Sequence, residues 1–167
     1  PIGNSDVTLL AFGDMMLDRN VRIAIENNDL TYPVEPLRRL TSGNDITFVN
    51  LEGGFTDFPP KLENPRRFSF TFDPKIAPRL ADMGFSVMSL ANNHTRDFGY
   101  EGYLDTQQHL DEAGIAYFGD WANHEQISTV VTVRASSIGF VGYHALSNQG
   151  FSEVVDEIKR IRRAVDY

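Results

Sequence analysis

The chain contains no cysteine among its 167 residues. Disulfides and thiolate metal sites are therefore excluded, and any metal must be held by oxygen and imidazole donors. The absence fits an exported protein without disulfides as well as a cytosolic one. Basic residues are also scarce: 15 Lys and Arg stand against 23 Asp and Glu, a net charge of -8. A general nucleic-acid binder needs a basic footprint, so no nucleic-acid partner is expected. An anionic ligand would need locally clustered positive charge to overcome the global field. No apolar run approaches the roughly 20 residues that a membrane-crossing helix needs. No repeat, low-complexity segment or interdomain linker interrupts the chain, which reads as one domain over 1–167.

What is present is alternation of strands and helices. Short apolar runs at Val7–Phe12, Ile46–Val49 and Phe85–Leu90 predict buried strands. Helical spacing covers Asp18–Glu26, Pro33–Leu40 and Tyr100–Ala113, the last closed by Gly114. Asp73-Pro74 predicts the start of a helix running to about Met83. Phe68-Ser69-Phe70-Thr71-Phe72 alternates as a strand with one aromatic face, after a proline-rich loop at 55–67. Ile115–Phe118 predicts a short strand. Ile127–Arg134 and Ser137–Tyr143 predict a hairpin turning at Ala135-Ser136, and Phe151–Val165 a final amphipathic helix. The whole predicts an α/β layered sheet with an antiparallel portion near the end.

The three best strands run out into groups that are costly to bury: Gly13-Asp14, Asn50-Leu51-Glu52-Gly53 and Asn92-Asn93-His94. In α/β sheets the carboxyl ends of the strands form the crevice where ligands sit, so these segments are expected to converge. Asp14 and Glu52 are hard oxygen donors and Asn93 a neutral one, while His94 can coordinate or move protons. Asn50, Asn92 and Asp97 sit beside them as candidate substrate contacts. A plainer alternative stays open, in which Asn92-Asn93-His94 caps the following helix.

The segments GDMMLDR (13–19), NLEGGFT (50–56), FSFTFDP (68–74) and SLANNHTRDFGYEGYLDT (89–106) resemble the ordered motifs of the bacterial capsule synthesis family CapA. That family includes the PgsA component of poly-γ-glutamate synthesis. LDEAGIAYFGD (110–120) and IGFVGY (138–143) extend the resemblance over most of the chain. CapA-like domains in turn resemble calcineurin-like metallophosphoesterases, which implies a four-layer α/β/β/α sandwich with a metal centre at strand ends. The resemblance implies Asp14, Glu52 and Asn93 as metal ligands and His94 as the catalytic group that protonates or stabilises a leaving oxygen. The implied cofactor is a divalent metal such as Mn, Zn or Ca. One departure is plain: Met16 stands where the superfamily carries a histidine, and a thioether is a poor ligand for hard cations.

The same resemblance implies a part in synthesis or export of an anionic polymer such as poly-γ-glutamate, with membrane synthase subunits as partners and an extracytoplasmic, anchored or cell-surface setting. Two roles are open: a metal-dependent hydrolase, or a non-catalytic subunit that holds polymer in the same cleft. Pro1 in place of an initiator methionine is expected to reflect trimming of a signal or anchor. The lack of a further histidine-bearing strand leads us to expect the N-terminal half of a larger domain, with a second copy covering any open sheet face. Arg19, Arg66 and Arg67 are the candidate anion contacts. Lys159, Arg160, Arg162 and Arg163 read as a solvated helix face. Of the other histidines, His109 falls within a helix, His124 in a loop, and His144 after a strand from which it could join the cleft.

Overall fold

The computed structural model describes residues 6–57, 68–120, 126–147 and 150–167. Its centre is a parallel sheet in the order β1-β2-β5-β6, formed by β1 (Leu9–Met15), β2 (Ile46–Leu51), β5 (Val87–Ser89) and β6 (Ala116–Phe118). Between them in the chain come α1 (Asn20–Glu26), α2 (Arg38–Thr41), the two-residue strands β3 (Gly54–Phe55) and β4 (Thr71–Phe72), α3 (Ile76–Asp82) and α4 (Gly99–Ala113). An antiparallel hairpin, β7 (Ser128–Val133) and β8 (Ser136–Val141), precedes α5 (Phe151–Ile161). The mixed α/β architecture with a parallel core is the expected one.

Side chains alternate across the central strands and feed two cores. Val49, Leu51, Met88 and Tyr117 point into a cluster with Ile25 of α1, Ile76 and Leu80 of α3, and Tyr103 and Leu110 of α4. Ile46, Phe48, Val87 and Phe118 point the other way, against Val131, Val133, Ile138 and Phe140 of the hairpin. Phe48, Phe118 and Phe140 stack on one another at 5.7–6.0 Å. On the helix side Phe55 and Phe72 meet edge to face at 5.7 Å and are almost wholly buried. Burial of such a side chain is worth about 1.5–3 kcal/mol. On the hairpin, Gly139 leaves room for Ile161 of α5, since a Cβ there would stand 2.8 Å from Ile161 Cδ1.

Several boundaries depart from the sequence reading. The first strand continues through Gly13-Asp14 to Met15, with a register shift between Ala11 and Asp14 that absorbs the glycine. Asp18 stands outside α1 because Arg19, at φ 56° and ψ -125°, departs from helical geometry between them. Pro33–Leu40 is not one helix: a 3-10 turn at Glu35–Leu37, with Pro36 inside it, leads into the single turn of α2. Only Thr71-Phe72 of the predicted aromatic strand enters a ladder, and the Phe70 N–H is given to the Asp97 side chain. The hairpin turns at Arg134-Ala135, one residue early, with Arg134 left-handed at φ 56°. The last helix stops at Ile161, since the backbone N–H groups of Asp166 and Tyr167 bond along β8 to Ser137 O.

Candidate functional site

Parallel β1, β2 and β5 end side by side, which is why segments remote in sequence meet. Asp14 lies in register with Asn50, and Asn50 with Ser89. Asn50 Nδ2 donates to Asp14 Oδ1 at 2.7 Å, and Asn50 Oδ1 accepts from Asn92 Nδ2 at 3.0 Å. The same Asn92 amide donates to Leu51 O at 2.9 Å, and its Oδ1 accepts from the His94 N–H at 3.0 Å and Thr95 Oγ1 at 3.1 Å. Asn92 is buried, and all these bonds tie the loop after β5 to the end of β2. It is not a helix cap, because α4 begins after Phe98 with no side-chain cap. The capping alternative is set aside.

Within that loop His94 is held from one side. Its Nδ1 lies 2.8 Å from Asp97 Oδ2, and the Phe70 N–H donates to the same oxygen at 2.8 Å. An ionised Asp97 accepts, so Nδ1 carries the hydrogen and Nε2 is the open lone pair. Nε2 faces Glu52 Oε1 at 3.8 Å, beyond a direct hydrogen bond. The imidazole also packs on Phe70, with ring centroids 4.2 Å apart, and its side chain is only 14% exposed. A histidine fixed by a carboxylate at one nitrogen and turned toward Glu52 with the other has the geometry to give or take a proton.

The loop is braced on its far side by Arg96, whose Nη2 bonds Asp120 Oδ1 at 3.0 Å and whose guanidinium lies 4.6 Å from the Tyr103 ring. Asp120 is 3% exposed. Burial, with Asp120 nearby, pushes the Tyr103 phenol far above its ordinary value, so it stays neutral at working pH. Arg96→Ala strips a buried carboxylate of its cation and should cost about 3 kcal/mol or more, read as a lowered urea midpoint with unchanged slope.

Asp14 and Asn93 are exposed, and Glu52 is half-buried. Asp14 joins the site from β1 and Glu52 from the residue just after β2, and Asn93 adjoins His94 in the loop. Among the described residues no group of three or more His, Asp or Glu clusters closely enough to hold a metal ion. Arg66, Arg67 and His124 lie outside the described residues. His109 lies 3.3 Å from Asp105 on α4. Burial lowers the proton affinity of the His144 imidazole, and its backbone carbonyl accepts from Ser147. On α5, Lys159 and Arg160 pair with Asp156 and Glu157, as a solvated face does.

The sequence reading missed Asp18. Its carboxylate, 1% exposed, accepts from Arg19 N at 2.6 Å, Arg22 Nε at 3.2 Å and Thr71 N at 3.1 Å. Arg22 in turn donates through Nη2 to Thr71 O. The spacing of Asp18 and Arg22 at i, i+4 was the one available signal, and it reads equally as a surface helix pair.

The model of the bacterial capsule synthesis protein family PGA_cap matches residues 8–165, and the chain belongs to this family. It is 25% identical over 149 residues to the capsule biosynthesis protein CapA of Bacillus anthracis, covering 82% of this chain and 35% of that protein. To the PGA biosynthesis protein CapA of Bacillus subtilis it is 27% identical over 158 residues, 89% of this chain and 40% of the relative. A probable polyglutamine synthesis accessory protein of Mycobacterium tuberculosis is 32% identical over 120 residues, 67% of this chain and 30% of that one. The chain thus spans between 26% and 40% of the length of the curated relatives it matches.

Proposed function

We propose that this chain carries a hydrolytic crevice acting on an anionic capsule polymer, or on a phosphate ester met during its synthesis. The observation that carries the reading is His94, fixed by Asp97 and turned toward Glu52 where three parallel strands end. In this reading His94 Nε2 takes a proton from the attacking water or returns one to the leaving oxygen. Asp97 holds the ring in the productive tautomer and stabilises the imidazolium that forms. Asn50 and Asn92 keep Asp14 and the His94 backbone in fixed relation, so that the crevice is set before substrate arrives.

Asp14, Glu52 and Asn93 form an oxygen-only donor set, which suits Mn²⁺, Mg²⁺ or Ca²⁺ better than Zn²⁺. Met16 fits that preference, because its sulfur accepts from the Asp18 N–H at 3.2 Å and the position supplies no imidazole. A divalent cation held there would supply positive charge that polarises the scissile group. The two cores on opposite faces of the sheet, with α5 over the hairpin, support reading the fold as part of an α/β/β/α metallophosphoesterase-like sandwich. The relatives' names, capsule or PGA biosynthesis protein and polyglutamine synthesis accessory protein, support a setting in capsule polymer synthesis; a place beside membrane synthase subunits at the cell surface is part of the same proposal.

A second reading, a non-catalytic subunit that holds polymer in the same crevice, is favoured by the exposure of Asp14 and Asn93. Thermal shift and metal analysis on the wild type and Asp14→Ala separate the two. At a hundredfold excess over its Kd, Mn²⁺ should stabilise the wild type by about 2.7 kcal/mol, or roughly 5–10 °C in Tm for a domain of this size. Asp14→Ala should lose most of that shift. Equal shifts in both proteins would rule out Asp14 as a ligand, and no shift in either would leave the holding role as the better account.

A further inference from the structure

Among the described residues, Arg19 is the one non-glycine residue near the proposed crevice with a positive φ, at φ 56° and ψ -125°. Such a conformation in a long-chain residue persists only where the surroundings enforce it, and it gathers at functional sites. Here the enforcement is visible. The buried Asp18 carboxylate accepts the Arg19 N–H at 2.6 Å, while its other oxygen holds Thr71 N at the head of β4. Arg22 closes the brace by bonding both Asp18 and Thr71 O.

Among the described residues, the side chain thus placed makes no ion pair. Its guanidinium lies 4.7 Å from the centroid of Phe70 and 5.4 Å from that of Phe68. Phe70 is the residue whose ring packs on His94 and whose N–H bonds Asp97. Arg19 is therefore one aromatic ring removed from the proton-transfer pair. Among the described residues it has no carboxylate partner, in a chain whose net charge is -8. Stacking on aromatic faces fixes the guanidinium plane and leaves its in-plane N–H groups for a planar or tetrahedral oxyanion.

We propose that Arg19 is the anion clamp of the crevice, binding a carboxylate or phosphate of the substrate, and that Asp18, with Arg22 and Thr71, is the positioning device that aims it. The inference rests on the proposed crevice for its place, but it concerns recognition and not the chemical step. A stacked, pre-set guanidinium binds bidentately with little further ordering, which an ammonium cannot imitate.

The test is equilibrium binding of a fluorescent poly-γ-glutamate oligomer at low salt, with inorganic phosphate as competitor and a fully esterified oligomer as the uncharged control. Arg19→Ala should weaken binding of the charged oligomer at least tenfold, and Arg19→Lys should recover only part of it. If carboxylates are the ligand, the oligomer binds and phosphate competes poorly. If phosphate is the ligand, phosphate binds directly in an Arg19-dependent way. Asp18→Asn should remove most of the effect of Arg19→Ala when the two are combined, a coupling that general destabilisation would not produce. Equal binding by folded Arg19→Ala and wild type, or equal binding of the esterified oligomer, overturns the proposal. Hydrolysis is scored separately: loss of turnover in His94→Gln with binding intact concerns the crevice chemistry alone.

Discussion

On the proposed hydrolytic reading, replacing His94 by glutamine is expected to lower turnover about 100- to 10,000-fold, the range found when a positioned general acid or base is removed. Glutamine keeps much of the ring's bulk over Phe70 but cannot hold a proton on one side and release it on the other. Asp97→Asn should approach the same loss by a different route. The amide can present its NH₂ to Nδ1, which then becomes the acceptor and leaves the hydrogen on Nε2, the wrong tautomer for taking a proton from water. Asp97→Asn also weakens the acceptor for the Phe70 N–H, 2.8 Å away, so its melting temperature should fall more than that of His94→Gln. The pair of measurements matters more than either alone. Turnover lost in both, with stability lost mainly in the Asp97 variant, supports proton transfer through His94. Undiminished turnover in a folded His94→Gln removes His94 from the chemistry.

The meeting of the strand ends was legible in the sequence because parallel strands impose it. Once 46–49 and 85–90 are read as buried strands, their carboxyl ends must share an edge, and Asp14, Asn50 and Asn92 fall into one hydrogen-bonded line. The helix ending at Gly114, left-handed at φ 71°, was equally plain, because glycine there suits the Schellman-type close. Less visible were the places where a side chain outbids the backbone. Alternation in 68–72 predicts a strand, yet the Asp97 carboxylate takes the Phe70 N–H and Asp18 takes that of Thr71. Both competitors are distant in sequence, and no local pattern announces them. Gly13 misled for a related reason: glycine reads as a strand stop, whereas a register shift carries β1 past it and brings Asp14 opposite Asn50. The helix expected at Pro33–Leu40 gives way to a 3-10 turn around Pro36, which has no N–H to donate to an α-helical ladder.

The largest stability effect should come from a residue without a side chain. Gly119 has φ 105°, and a Cβ built on it would stand 2.6 Å from Ala91 N and 2.7 Å from Ala91 Cβ. A Cβ on Gly142 would meet Gly119 Cα at 2.6 Å and Ala91 Cβ at 2.9 Å. Three small residues therefore let the end of β6, the end of β8 and the segment leading into Asn92 touch backbone to backbone. Gly119→Ala adds left-handed strain of about 1–3 kcal/mol and overpacking of about 1–3 kcal/mol against main chain that has little room to yield. A loss of roughly 2–6 kcal/mol by addition of those two contributions is a large share of a typical 5–15 kcal/mol domain stability. Gly43→Ala separates the two contributions, because Gly43 has φ 109° but nothing within 4 Å of its Cβ position. Chemical denaturation should therefore show Gly43→Ala losing only the strain contribution and Gly119→Ala clearly more. Equal losses would mean that the close approach carries no energy of its own. Because Ala91 leads directly into the Asn92 anchor of His94, the Gly119 variant should also lose Asn92 amide protection from hydrogen exchange, while Gly43→Ala leaves it unchanged.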